Sequence, residues 1–202
     1  MFESLGARLI IPGGQTMNPS TEDFVKAMQS LPCERAILIP NNGNVVMAAR
    51  QAVELAGRLS VVVPTRTMPQ GVAAMLAFNA QSDLETNARL MEAAARHIHT
   101  GEVTVATRSV QLNGVVATEG QPIGLIDDEL AASGQTTEDV VWQLLDQMHV
   151  ADRELVTLYY GDSVAAHAAG ALAEAIRARF GHLELEVIDG GQPYYSYILS
   201  VE

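Results

Sequence analysis

The sequence predicts an α/β protein of two domains. Residues 1–99 form a parallel-sheet, Rossmann-like first domain and residues 100–202 an α+β second domain. Three observations carry this prediction. In the first half, short apolar runs end three times in a polar loop, and each loop leads into a helical pattern. Near Thr100-Gly101 the rhythm changes to alternating strands separated by hairpin dipeptides. A chain of 202 residues is also long enough to bury the core of one large domain or two small ones.

The chain opens with Phe2-Glu3-Ser4-Leu5-Gly6, which reads as the last turn of a helix with Gly6 just past its end. That reading makes the chain a fragment of a longer protein; the other is a genuine short N-terminal helix. Arg8-Leu9-Ile10-Ile11-Pro12 is the first expected strand. Gly13-Gly14-Gln15-Thr16-Met17-Asn18-Pro19-Ser20 is the first polar loop, and Ser20 with Asp23 resembles a capping box at the start of a helix. Glu34 to Ile39 is the second expected strand, ending at Pro40, and Asn41-Asn42-Gly43-Asn44 is its loop. A helix follows from Val45 to Ala56, closed by Gly57.

Leu59 to Val63 is the third expected strand, and its unbroken apolar run suits a parallel strand covered on both faces. Pro64-Thr65-Arg66-Thr67-Met68-Pro69-Gln70-Gly71 is the third loop. A helix continues to about Asn79, and Ser82 is expected to cap a longer one reaching Arg96. Right-handed crossovers would bring all three loops to the carboxyl ends of the strands.

In the second half, Glu102 to Thr107 alternates, Asn113-Gly114 turns a hairpin, and Gln121 to Ile126 leads to a turn at Asp127-Asp128. Thr137 is expected to cap a helix bearing Val140, Val141, Leu144, Leu145 and Met148 at helical spacing. Glu154 to Tyr160 is a strand, Gly161-Asp162-Ser163 caps an Ala-rich helix, and Leu183 to Ile188 is a strand with one wet face. Gly190-Gly191-Gln192-Pro193 breaks it before a last strand, Tyr194 to Val201.

Composition narrows the function. The net charge of −12, with no cluster of Lys and Arg, argues against nucleic acid as partner. No apolar run approaches the ~20 residues of a membrane span, and no signal-peptide pattern opens the chain, so a cytoplasmic location is expected. The lone Cys33 excludes an intramolecular disulfide and leads into a strand, where a small buried residue is expected rather than a nucleophile. His97 and His99 stand two apart, as metal ligands on a strand would. No carboxylate or thiol completes a recognisable set, so a polar helix end is the favoured reading and no metal is expected. His167 and His182 read as surface or inter-domain residues, and Asp127, Asp128 and Glu129 as a turn. Phosphate-loop, dinucleotide and nucleophile-elbow motifs are absent, and no catalytic residue is assigned.

The site candidates are therefore the loop residues Gly13, Gly14, Gln15, Thr16, Asn18, Asn41, Asn42, Asn44, Thr65, Arg66, Thr67 and Gln70. Together they would make a polar edge for a small carbonyl-bearing or anionic molecule or for a partner, with Arg66 as the charge partner. Plain turn chemistry is the competing reading. Gln192 and Tyr194 join them from the C-terminal loop, where Tyr194, Tyr195 and Tyr197 are candidate interface anchors.

Four stretches carry a resemblance to a known family: Gly13 to Asp23, Pro40 to Ala49, Val63 to Gly71, and the ending Gly190 to Glu202. Together they resemble the C-terminal region of FakA, the A subunit of the bacterial fatty acid kinase (also called YloV, a DAK2/DhaL-domain protein). The resemblance implies that ATP and magnesium belong to an N-terminal kinase domain outside this chain, which itself needs no cofactor. It also implies a partner, a DegV-like fatty-acid-binding protein, which this region helps to dock, with no enzymatic activity of its own. The order of elements is similar to DegV itself (an EDD-type fold), in which Thr-Ser-Gln-Pro and Ser-Ser-x-x-Ser-Gly loops and a late His hold a fatty acid carboxylate. Here Gly13-Gly14-Gln15-Thr16 and Asn41-Asn42-Gly43-Asn44 stand at those loops, and no matching His is evident. A docking module is thus expected; the alternative is a fatty acid or acyl phosphate bound in the cleft between the domains.

Overall fold

Short strands, amphipathic helices and their caps assemble into two compact units, Met1–Ile98 and His99–Glu202. The computed structural model describes residues 1–13, 18–112 and 114–202. The fold class is the expected mixture of helices and sheets.

In the first unit, strands β1 (Arg35–Leu38) and β2 (Leu59–Val62) pair in parallel, Arg35 opposite Leu59 and Leu38 opposite Val62. Period-two alternation splits β1 between two cores. Ala36 and Leu38 pack with Phe24 and Met28 of helix α1 (Thr21–Ser30) and with Ala49 and Ala52 of α2 (Val46–Leu55). Ile37 and Ile39 pack with Ala74 of α3 (Met68–Leu76) and with Met91 and Ala95 of α4 (Leu84–Arg96). Helices therefore cover both faces, as a parallel sheet requires.

The expected first strand at Arg8–Pro12 does not form: residues 7–13 pair with no strand, and Leu9 and Ile10 are exposed. Three apolar residues followed by a proline that has no N–H make a weak ladder segment. Residues 2–6 do close as a helical end turn. Ala7 N–H donates to Phe2 O (3.0 Å) and Gly6 N–H to Glu3 O (3.0 Å), with Gly6 at φ +96°.

The second unit holds a six-stranded mixed sheet in the order β7-β6-β3-β10-β8-β9. Its strands are β3 (His99–Val105), β6 (Pro122–Ile126), β7 (Glu129–Ser133), β8 (Leu155–Tyr160), β9 (Glu184–Asp189) and β10 (Tyr197–Val201). Within it, β8 and β9 are parallel and the other pairs antiparallel. A separate hairpin joins β4 (Val110–Leu112) to β5 (Val115–Ala117). Of its expected Asn113-Gly114 turn, Asn113 lies outside the described residues and Gly114 has φ +79°.

Helices α5 (Thr137–Gln147) and α6 (Ala166–Arg179) build the main core with Val103, Val156, Leu158, Tyr197 and Leu199. Gly124 lets α5 sit on the sheet, since a Cβ there would lie 2.7 Å from Val140 Cγ1. Asp127 and Asp128 both have positive φ, which makes the β6–β7 turn tight and leaves Glu129 to begin β7.

Several local expectations are corrected. The α4 cap is Asp83, not Ser82: Asp83 Oδ1 accepts from Thr86 N–H at 2.7 Å. The α5 cap is Thr136, not Thr137, and Asp139 completes its capping box. No side chain of Gly161-Asp162-Ser163 caps α6, which starts after Ala165. At α4 and α5 the cap lies one residue from the expected capper, because the helix start is set by which turn packs on the sheet. Cys33 is exposed rather than buried, since it lies in the bend before β1. His97 does end α4, its Nδ1 donating to Ala93 O (2.7 Å), but His99 opens β3 and pairs with Asp127 Oδ2 at 3.0 Å. His167 and His182 are exposed.

Candidate functional site

The loops that follow β1 and β2 meet through Asn41 and Thr65. Asn41 takes the left-handed conformation (φ +56°), which Asn tolerates because its short amide bonds locally. Its N–H donates to Thr65 Oγ1 at 3.0 Å, and the Thr65 hydroxyl donates back to Asn41 Oδ1 at 2.8 Å. Thr65 is fully buried, so this reciprocal pair satisfies a hydroxyl that has no access to water.

The neighbouring side chains are also engaged. Asn42 Oδ1 accepts from Asn44 N–H at 2.8 Å and so starts the single 3-10 turn Gly43–Val45 that leads into α2. Asn42 Nδ2 donates to Asn18 Oδ1 at 3.4 Å. Asn18 precedes the α1 cap, where Ser20 Oγ accepts from Asp23 N–H (3.2 Å) and Asp23 Oδ2 from Ser20 N–H (2.9 Å). Those bonds from Ser20 hold the Asp23 carboxyl below its ordinary range. Thr67 caps α3, accepting from Gln70 N–H at 3.4 Å. Gln70 Oε1 accepts from Arg66 N–H at 2.9 Å, and its amide reaches Ile98 O at 3.5 Å. The Arg66 residue itself is exposed.

Of the candidates, then, hydrogen bonds join Asn41 with Thr65, Asn42 with Asn18 and Asn44, and Gln70 with Arg66 and Thr67, three groups in the first unit. Gly13 is exposed, and Gly14, Gln15 and Thr16 lie outside the described residues. Gln192 and Tyr194 belong to the second unit and are held there by their own contacts. Gln192 Nε2 donates to Tyr159 O (3.4 Å), while Gln192 Oε1 is buried without a hydrogen-bond partner. Tyr194 stands at φ +70°, mostly exposed, with its carbonyl accepting from the Thr104 hydroxyl at 2.6 Å.

Two glycines that shape these loops escaped the sequence reading as site residues. A Cβ on Gly71 would lie 2.0 Å from Asn41 Oδ1, so Gly71 is the cradle of the Asn41 amide. A Cβ on Gly161 would meet Tyr195 O at 2.1 Å. Gly71 stood inside a recognisable motif, but nothing local says what approaches it. Glu102, buried in β3, carried no sequence signal beyond alternation.

Gly71→Ala is expected to push Asn41 out of its cradle and strand the buried Thr65 hydroxyl. Orphaning one such group costs about 1–3 kcal/mol. Thermal melting should show the loss, and the Asn41 amide resonance should shift far more than those of β8.

Charge divides unequally between the two units. Residues 1–98 carry equal numbers of acidic and basic side chains, so residues 99–202 hold the whole net charge of −12. Among the described residues no group of three or more His, Cys, Asp or Glu is arranged to hold a metal, and no helix is long and apolar enough to cross a membrane. The first unit's edge thus carries amides, hydroxyls and backbone N–H groups, with Arg66 exposed beside them. Such groups hold oxygen atoms or a partner's backbone by hydrogen bonds.

Comparison with known proteins turns this chemistry into a family. The model of the FakA-like C-terminal family, drawn from the C-terminal region of fatty acid kinase proteins, matches residues 1–202. The chain belongs to that family. An uncharacterised protein of Staphylococcus aureus (strain USA300) is 37% identical over 202 residues, covering 100% of this chain and 37% of its own length. The family region thus spans little more than a third of that relative.

Among solved structures, the fold is shared with three kinds of protein. A DegV family protein from Thermus thermophilus, described by its fatty acid binding, has a TM-score of 0.58 at 16% identity, covering 100% of this chain and 82% of its own. The Streptococcus pneumoniae fatty acid kinase B3 protein, loaded with linoleic acid, scores 0.63 at 13% identity, covering 91% and 76%. The dihydroxyacetone kinase of C. freundii, with AMP-PNP and Mg2+, scores 0.61 at 14% identity, covering 91% and 41%. At these identities the likeness is one of fold.

Proposed function

We propose that this chain is the docking module of a fatty acid kinase and does no chemistry itself. Its partner is a DegV-like fatty-acid-binding protein, which it presents to a nucleotide-binding domain elsewhere in the longer protein. ATP and magnesium are required there, and this chain takes no cofactor. The observation that carries this reading is the engagement of the loop edge with itself. Asn41 and Thr65 satisfy one another, Asn42 is taken up by Asn44 and Asn18, and Gln70 by Arg66 and Thr67. A lipid carrier needs hydroxyls and amides turned toward a carboxylate; here they stitch loops together, which suits a preformed surface.

The charge of the second unit supports the same reading and specifies the partner's chemistry. A surface this acidic accelerates encounter with a basic face, and salt screens that attraction within about 8–10 Å. The test is calorimetry of the 202-residue chain against a linoleate-loaded DegV-like protein at low and high salt, with free linoleate injected separately. Heat with the protein partner, weakening as salt rises, is the expected result. Heat with free linoleate alone would replace docking by lipid binding, the reading that the fatty-acid-bound DegV neighbours favour. No heat in either titration would place the docking surface in another part of the longer protein.

A further inference from the structure

We propose that Tyr194 is the anchor by which this chain holds its partner, its ring entering an apolar pocket rimmed by Lys and Arg side chains. The inference rests on the docking function proposed above and names the contact that performs it. It starts from a residue in an unfavourable place. Tyr195 N–H donates to Pro193 O at 2.9 Å, which closes a three-residue turn around Tyr194. Tyr194 sits in that turn at φ +70°, a left-handed position in which a bulky side chain is strained. Glycine would take the same backbone without that strain.

The surrounding loop imposes the conformation from both sides. The Thr104 hydroxyl donates to Tyr194 O at 2.6 Å. On one flank Asp162 N–H donates to Gln192 O at 3.2 Å, and on the other Gly161 N–H donates to Ser196 O at 2.9 Å. The loop carries a second local cost, since Gln192 Oε1 is buried without a hydrogen-bond partner. Native chains retain costs of this kind where function needs them.

What the strain provides is a presented ring. Tyr194 is 60% exposed, so the ring adds little to the core of its own unit. A tyrosine already fixed in place loses little conformational freedom when a partner covers it, and tyrosine is among the residues that dominate interfaces. The charge around it defines the partner. After Arg179 the chain carries Glu184, Glu186, Asp189 and Glu202 and no Lys or Arg. Asp189 and Asp162 are exposed and are bonded into the loop itself, Asp189 Oδ1 accepting from Gly191 N–H at 3.1 Å. A second copy docking loop to loop would bring like charges together. A DegV-like partner with a basic rim brings opposite charge, and an arginine there can stack on the phenol ring.

The test is calorimetry of the intact chain, Tyr194→Gly and Tyr194→Phe against a linoleate-loaded DegV-like protein, with melting curves of all three. Tyr194→Gly is expected to melt no lower than the parent and to bind at least about thirtyfold more weakly. Tyr194→Phe keeps the ring and is expected to lose no more than about tenfold. Equal binding by the parent and Tyr194→Gly overturns the anchor while leaving the docking function standing. Melting of Tyr194→Gly several degrees below the parent also overturns it, because the ring would then serve the fold. Parent binding that does not weaken as salt rises removes the basic rim, and the proposal with it. A parent that gives no heat with the protein overturns the docking function and the anchor together. Heat from free linoleate that Tyr194→Gly abolishes would place the ring over a lipid site, and overturns the proposal equally.

Discussion

Gly161→Ala is expected to unseat the C-terminal loop and lower the melting temperature by roughly 6–12 °C. A Cβ at this position would lie 2.1 Å from Tyr195 O and 2.6 Å from Gln192 O. Both are backbone atoms, so no side-chain rotation relieves the clash. The loop is also fixed from both sides. Gly161 N–H donates to Ser196 O (2.9 Å), Asp162 N–H to Gln192 O (3.2 Å), and Ser196 N–H to Val103 O (2.8 Å). Overpacking costs about 1–3 kcal/mol, and the rigid obstruction places this case at the upper end. Gly170→Ala is the control: a Cβ there meets nothing within 4 Å inside α6, and replacing glycine in a helix stabilises by about 0.5–1 kcal/mol. Differential scanning calorimetry of the two variants decides the matter. Equal melting temperatures would mean that the Gly161 contact with the Tyr194 loop is not tight. If that loop carries docking, Gly161→Ala also weakens partner binding while Gly170→Ala leaves it unchanged.

The second large effect is a loss of stability as pH rises through 7, caused by Glu102. This side chain is 6% exposed in the middle of β3, and its Oε2 has no hydrogen-bond partner. Burial, reinforced by the charges of Asp128 and Asp127, pushes its carboxyl from the ordinary 4.5 up to about 7. The native state therefore holds a proton that the unfolded chain releases above 4.5. Stability from this group is fully present below pH 4.5 and is lost as pH rises through about 7. At about 1.36 kcal/mol for each pH unit, the gap amounts to roughly 3 kcal/mol. Glu102→Gln cannot ionise and should flatten the stability profile between about pH 4.5 and 7. Denaturant melts across that range provide the check, and an unchanged slope in the variant would assign the dependence to another group.

Much of the local structure was legible because it is written in short-range chemistry. The Ser20–Asp23 capping box, the Gly6 end turn and the Asp127-Asp128 turn all follow from residues within a few positions of one another. The helix starts at Asp83 and Thr136 were missed by one residue, because two adjacent cappers compete and packing chooses between them. The expected α6 cap failed for a different reason: Gly161 is committed to the C-terminal loop instead.

The candidate site was legible as a set of loops, not as a network. Asn, Thr and Gly in three loops announce polar turns, and their spacing after strands announces a shared edge. Which of them bond one another is a matter of distances across 24 residues of sequence, as between Asn41 and Thr65. Gly71 acquires its role only from the amide that settles upon it.

The sequence by itself determined the α/β class, most element positions, the polar character of the loop edge, and the family whose motifs lie in four separate stretches. These depend on periodicity, turn chemistry and residue identity, which survive without knowledge of the fold. The tertiary structure alone decided three things. It leaves residues 9–11 off the edge of β1, turns the loop side chains toward one another, and buries Glu102 within reach of two aspartates. Each depends on which distant surfaces meet, and desolvation acts only once they have met.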